Sequence, residues 1–325
     1  MPDRAGKLKV TVAVLTRDRP KMLADLLTSL SKLDDPDHCE LIYLVVENNQ
    51  RKSQEALVRA FGPKFTKGSI HYVLETKIGI ASARNRAAKE AINLDADLLV
   101  FVDDDEIVPP EWLANLVGPT GKALLFFSGA TSGSPPVRKL YMARKAMHKN
   151  ISQRYFRNEK RAAQRASSND TPGVTIVANN WIGQVDIIAN NKILFNENLD
   201  WLGGEDTQFY SDVRSLGLKT GWVSNAPVYE TIPKDRLTFG YQFKRAKDQS
   251  NTSFKRKLSK KPSAIYKLPV SVVLKTIGLL GLLFLMPLTL STNFLTFCRT
   301  AGWIADRISA ALGATADHYR TVTGQ

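Results

Sequence analysis

Cysteine is nearly missing from this 325-residue chain: Cys39 and Cys298 stand alone, with no paired spacing and no Cys-x-x-Cys motif. A reducing compartment is therefore the expected environment. The N-terminal stretch MPDRAGKLKV has no apolar run of the kind a signal peptide needs, so the body of the chain is expected to stay cytosolic. Acidic residues are also scarce, 31 against 45 Lys and Arg, for a net charge of +14. The imbalance is local. Ten basic residues face one acid between Val137 and Arg165, and ten face two between Lys234 and Lys261, while the remainder is near neutral. Such segments suit nucleic acid, anionic lipid or a phosphorylated substrate. Tyr141, Tyr155 and Phe156 supply only thin aromatic interleaving, and no nucleic-acid-binding module is recognisable, so nucleic acid is not an expected partner.

What is present is ordinary globular composition, 43% hydrophobic and 23% charged, which argues against disorder over most of the length. Val10–Leu15, Leu41–Val46, Ile70–Leu74 and Leu98–Val102 read as buried strands. Between them, Leu23, Leu26, Leu27 and Leu30 recur at helical spacing behind Pro20, Gln54–Phe61 reads as a helix, and Ala81–Ile92 is Ala-rich and helical. This βαβαβαβ alternation predicts an α/β fold, a mostly parallel sheet with helices on both faces. Further on, Ala123–Ala130, Val174–Val177, Val185–Ala189 and Lys219–Val223 are expected as strands, Arg138–Arg165 as a basic helical or mobile stretch, and Glu205–Leu216 as a helix closed by Gly217.

Ligands of such sheets bind beyond the carboxyl ends of the strands. There the sequence places Thr16–Arg17, Glu47–Asn48–Asn49, Glu75 and the run Asp103–Asp104–Asp105–Glu106. Four consecutive acids are costly without a positive partner, and oxygen ligands suit Mg2+ or Mn2+ held together with diphosphate oxygens; the plainer alternative is a solvated loop. GIASARNRAA opens a helix at Gly79 with Arg84 and Arg86 one turn in, which suits a diphosphate or else an ordinary surface helix. Glu205 and Asp206 follow paired glycines at another helix start, where acids serve either as caps or as a general base. A nucleotidyltransferase would show a Gly-rich, Lys- or Arg-bearing phosphate loop after the first strand, where this chain reads LTRDRP.

Six motifs in order, VAVLTRDRP, VVENN, ETKIGIASARNRA, LLVFVDDDE, WLGGEDTQFY and AP-VYETIPKDR, resemble family 2 glycosyltransferases of the GT-A fold, in particular bacterial exopolysaccharide transferases of the succinoglycan type. The resemblance spans about Val10 to Arg245. It implies an inverting transferase that takes one sugar from a nucleotide-diphosphate sugar, a UDP-sugar. Asp103 and Asp105 match the metal-holding DxD pair, with Mn2+ or Mg2+ as the ion. Thr16, Glu47 and Asn48 match the nucleoside pocket, and Arg84 a donor contact, with Arg17, Gly79 and Asp104 completing the donor-binding set. Asp206 matches the catalytic base, with Glu205 beside it. Glu230 stands where the family often has a metal-ligating His and is expected as a further oxygen ligand. Gln242-Phe-Lys-Arg245-Ala is similar to the QxxRW motif of processive synthases but lacks its Trp, which favours single-sugar addition.

The expected organisation is a catalytic domain over 1–253 (donor half 1–121, acceptor half 122–253), a basic linker over 254–267 and a helical membrane-associated region over 268–325. The uncharged run Ile277–Leu290 would reach only about 21 Å as a helix, short of the roughly 30 Å hydrocarbon core. A start at Leu268 includes Lys275, so an interfacial or hairpin anchor is favoured over a single span. The expected location is the cytoplasmic face of the inner membrane, beside a lipid-linked saccharide acceptor.

Overall fold

Val10–Thr16 of strand β1 (Leu8–Thr16) are buried without interruption, as a strand covered on both faces requires. In the computed structural model, which describes residues 7–34, 36, 38–118, 126–133, 142–166, 177–201, 203–289 and 293–311, β1 runs parallel to β2 (Cys39–Asn48) on one side and β4 (Leu98–Asp103) on the other. Beyond β2 lies β3 (Ser69–Glu75), also parallel. The crossovers are helices α1 (Pro20–Leu30), α2 (Glu55–Phe61) and α3 (Ile80–Asn93). Register aligns Leu15 with Asp103 and Thr16 with Glu47, so the polar strand ends finish at one edge.

Alternate β1 residues enter different cores, as the two-residue strand period demands. Val10, Val12 and Val14 join Leu23, Leu27 and Trp112. Ala13 and Leu15 join Phe101, Trp181, Phe195 and Phe209 together with the Ala81, Ala87 and Ala91 face of α3.

After β5 (Glu106–Ile107) and α4 (Trp112–Val117) the sheet becomes mixed. Strands β6 (Phe126–Gly133), β7 (Asn180–Gln184) and β8 (Thr220–Glu230) complete the order β3-β2-β1-β4-β7-β6-β8-β5, with β7 antiparallel to both neighbours. Several expectations are corrected here. Val185–Ala189 is not a strand but most of helix α6 (Val185–Asn191): Val185 and Ile188 are buried three residues apart, and a short apolar run does not reveal its period. The strand lies just before it. Of Val174–Val177, residues 174–176 fall outside the described residues and Val177 is in no strand; positions 123–125 are likewise undescribed. The strand expected over Lys219–Val223 continues to Glu230, which carries its end back to the acidic run.

Of the basic stretch over 138–165, residues 138–141 fall outside the described residues and the rest is helix α5 (Met142–Arg165); α7 (Glu205–Ser215) comes after α6. The segment 254–260, expected within a linker, is the last two turns of α8 (Phe239–Lys260). A short 3-10 helix (Pro262–Lys267) leads into α9 (Leu268–Thr289), and α10 (Phe294–Ala311) returns to α8. Gly302 makes that return close, since a Cβ there would stand 2.3 Å from the Phe243 carbonyl oxygen. Met147, Ile151, Leu237, Leu295 and Cys298 form a third core tying α5 and α10 to the body. Helix α9 has 22 residues, about 33 Å at 1.5 Å per residue, so by length it could cross a bilayer, unlike the shorter uncharged run considered alone. It leaves Val270, Val273, Leu274, Ile277, Leu280 and Phe284 exposed.

Candidate active site

The strand ends open into one cleft of about 970 Å³. Strand β4 ends at Asp103, whose side chain is 35% exposed, whereas those of Asp104 and Asp105 are 5% and 9% exposed. The two buried acids are held by protein cations. Asp104 accepts from Thr16 Oγ1 at 2.8 Å and Arg19 Nη1 at 2.8 Å. Asp105 accepts from Arg236 Nη1 at 3.0 Å, with Arg19 at 3.5 Å. Glu106 accepts from Asn179 Nδ2 at 2.8 Å, while its other oxygen has no hydrogen-bond partner among the described residues. Burial and the nearby carboxylates of Asp105 and Asp104 outweigh Arg84 and push Asp103 up to about 7, even though part of it meets the cleft. Burial, against the opposing Arg19, raises Asp104 to about 6. Burial, Glu230 and Asp105 raise Glu106 well above its ordinary value. Negative charge is thus in excess around the one acid that remains open.

Helix α3 starts beside this acid, and the expected diphosphate cradle at its N-terminus is filled from within. Asp200 places its carboxylate there, accepting from the Ser82 amide at 2.9 Å and the Ser82 hydroxyl at 2.7 Å. A Cβ on Gly79 would lie 2.0 Å from Asp200 Cγ, and the Gly79 amide already donates to Asn48 Oδ1 at 2.8 Å. One turn on, Arg84 is buried in an ion pair with Glu205 and lies 4.0 Å from Asp103. Burial opposes its charge, but Glu205, Asp103 and Asp206 hold Arg84 above its ordinary value.

Gly203 and Gly204, at φ of +71° and +88°, adopt left-handed backbone that favours glycine and delivers Glu205 and Asp206 to the start of α7. The helix is seated by Phe209, stacked on Phe195 at 4.3 Å and edge-on to Trp181 at 5.8 Å. Glu205 turns inward to Arg84, and burial raises its pKa against that cation. Asp206, half-buried, lines the cleft. Its Oδ1 accepts from the Thr207 amide at 2.6 Å, and among the described residues Oδ2 accepts no hydrogen bond.

A family model, Glycosyl transferase family 2, matches residues 11–181, more than half of the chain. The chain belongs to glycosyl transferase family 2. The succinoglycan biosynthesis protein ExoM of Rhizobium meliloti (strain 1021) is 28% identical over 241 residues, 73% of this chain and 72% of that protein. Among solved structures, the mannosyltransferase PcManGT from Pyrobaculum calidifontis, in complex with GDP-Man and Mn2+, matches with a TM-score of 0.61 at 16% identity, over 96% of this chain and 89% of that one. S. aureus TarS 1-349 in complex with UDP-GlcNAc matches with a TM-score of 0.51 at 17% identity, over 98% and 95%. These likenesses identify the fold as GT-A, and with the family they make the chain a glycosyltransferase.

Within this transferase the structure brings Thr16, Arg17, Asn48, Gly79, Arg84, Asp103, Asp104, Asp105, Glu205, Asp206 and Glu230 to the cleft, but not Glu47. Glu47 is fully buried and accepts from the Ser53 amide and hydroxyl, the Gln54 amide at 3.0 Å and the Tyr72 hydroxyl. It fastens the loop between β2 and α2. Burial alone would raise its pKa, but these bonds hold it below the usual glutamate range. Glu230, expected as a metal ligand, has Tyr155 on Oε2 and Arg236 at 3.3 Å on Oε1, so both oxygens are engaged. A divalent cation commonly takes one or two carboxylates, with water and phosphate oxygens in its remaining positions. Asp103 opens to the cleft and, among the described residues, Asp105 has Arg236 and Arg19 on Oδ2 alone, so these two fit such an ion better than Glu230, both of whose oxygens are engaged. The sequence reading missed Arg19, Tyr155, Asp200 and Arg236. Arg19 and Arg236 stand inside the quoted LTRDRP and PKDR motifs, whereas Tyr155 and Asp200 carried no local signal.

Proposed function

We propose that this enzyme transfers one sugar, with inversion, from a nucleotide-diphosphate sugar of the UDP class to a hydroxyl of a lipid-linked oligosaccharide. It would act at the cytoplasmic face of the inner membrane, in exopolysaccharide or surface-polysaccharide assembly. The supporting observation is that Asp103, the open acid of the strand-end cluster, and Asp206, whose Oδ2 accepts no hydrogen bond among the described residues, share one cleft, with Arg84 lying 4.0 Å from Asp103 and paired to Glu205, the residue before Asp206. Bound Mn2+ or Mg2+, held by Asp103 and Asp105, would supply electrostatic stabilisation of the departing diphosphate. Arg84 adds fixed positive charge beside it, and Glu205 is a positioning residue that acts through Arg84.

Asp206 takes the proton of the acceptor hydroxyl. That oxygen bonds to the anomeric carbon as the carbon–oxygen bond to the diphosphate breaks, its electron pair leaving with the nucleotide diphosphate. An α-linked donor gives a β-linked product. Binding at the membrane is supported by the exposed apolar face of α9.

The test is release of nucleotide diphosphate from a panel of UDP- and GDP-sugars by the full-length protein with Mn2+ or Mg2+. Asp206→Asn should lower turnover at least ~100-fold with donor affinity nearly unchanged. Absence of release from every donor would overturn the reading, and near-normal turnover of the Asn variant would reduce Asp206 to a helix cap.

A further inference from the structure

A second cavity of about 340 Å³ lies between α5, α8, α9 and α10. Arg154, Arg157, Lys275 and Arg299 line it, and no Asp or Glu does. None of these four cations forms an ion pair among the described residues. Arg299 donates to Gln249 at 2.9 Å, and Lys275 sits 5.6 Å over the Trp303 ring. Burial and the flanking guanidiniums of Arg154 and Arg245 push Arg299 down to about 10. Positive charge is concentrated here without compensation, an arrangement that an anion would stabilise.

Its position says what kind of anion. Gln249 and Ser253 line both this cavity and the catalytic cleft, so the two adjoin. Helix α5 serves both, with Arg154 and Arg157 toward the basic cavity and Asn158 and Arg161 toward the cleft. On the other side, Lys275 belongs to α9, whose neighbouring Val273, Leu274 and Ile277 are exposed. A ligand that follows these surfaces carries a saccharide, then an anionic group, then a long apolar chain. Four cations exceed what a singly charged phosphodiester headgroup needs and suit a diphosphate.

We propose that the basic cavity holds the diphosphate of the lipid that carries the acceptor saccharide, setting that lipid's sugar in the cleft and its chain along α9. The assignment rests on the glycosyltransferase reading above and names where its acceptor is recognised.

The experiment is flotation of the full-length protein with phosphatidylcholine vesicles that contain a few mole per cent of a sugar-free polyprenyl diphosphate, or phosphatidylglycerol matched for charge. The wild-type protein should bind the polyprenyl diphosphate vesicles at least ~10-fold more strongly than the phosphatidylglycerol ones. Arg154→Gln with Arg157→Gln should remove that preference while leaving nucleotide-sugar hydrolysis, with water as acceptor, at the wild-type rate. Arg157→Gln alone, at an exposed side chain, should weaken the preference without a folding cost. Equal binding to both vesicle types, or a preference that survives both substitutions, would overturn the proposal. A wild-type protein that prefers the polyprenyl diphosphate but releases no nucleotide from any donor would uphold the cavity assignment and overturn the transfer reaction instead.

Discussion

Gly79→Ala puts a methyl group where Asp200 caps α3. The added carbon would stand 2.0 Å from Asp200 Cγ and 2.3 Å from each carboxylate oxygen, so the carboxylate has to retreat by roughly 1.5 Å to reach ordinary contact. That breaks both bonds to Ser82, at 2.9 and 2.7 Å. Loss of such a cap costs about 1–2 kcal/mol, and forcing volume into a packed site adds about 1–3 kcal/mol. The expected destabilisation is therefore about 2–5 kcal/mol, readable as a shift of the urea midpoint with unchanged slope. Asp200→Ala removes the obstacle as well as the cap. In that background Gly79→Ala should cost much less, so the double-mutant cycle should be strongly non-additive. Additive costs, or a Gly79→Ala protein as stable as wild type, would refute the reading that Asp200 occupies the helix terminus in place of a diphosphate.

Three further outcomes are expected. Asp105→Ala should abolish transfer while circular dichroism shows a folded protein, and EDTA should abolish wild-type activity until Mn2+ or Mg2+ is restored; full activity of the variant in EDTA would exclude the acidic site as a metal holder. Glu47→Gln leaves buried donors from Ser53, Gln54 and Tyr72 facing an amide and should destabilise the fold by about 3 kcal/mol. Because the folded-state pKa of Glu47 is depressed, its contribution is complete above the ordinary glutamate value of about 4.3 and is lost as pH falls through the depressed one, so the variant's stability should fall less steeply on acidification. Ile277→Lys with Phe284→Lys on α9 should move the full-length protein from the membrane pellet to the soluble fraction with donor hydrolysis intact, and a variant that still pellets would show that α9 is not the attachment. These substitutions test attachment more cleanly than truncation after residue 261, which would also remove Leu295 and Cys298 from the third core.

The first half of the fold was legible because its signals are local. Short, largely apolar runs bounded by helical periods place β1 to β4 within a residue or two, and a parallel sheet then puts Thr16, Asn48 and Asp103 at one edge. Glu205 and Asp206 were legible for a similar reason, since paired glycines before two acids mark a helix start. The second half was harder. Val185–Ala189 has the same composition in a strand or a helix, and the basic residues 254–260 continue α8 because its other face packs on α10, which no local pattern announces.

By itself, then, the sequence determined the family, the parallel half-sheet and the chemical character of the cleft, because these depend on residue types within a few positions of one another. Tertiary structure alone decided how those charges are paired. Glu47 is consumed by Ser53 and Tyr72, Glu230 by Tyr155 and Arg236, and the α3 terminus by an Asp from 118 residues further on. The basic residues of α5, α9 and α10 converge on one cavity only because those helices pack together. Whether an ionisable group binds a ligand or a neighbour depends on which oppositely charged group lies within a few ångströms, and the folded chain sets that distance between residues far apart in sequence.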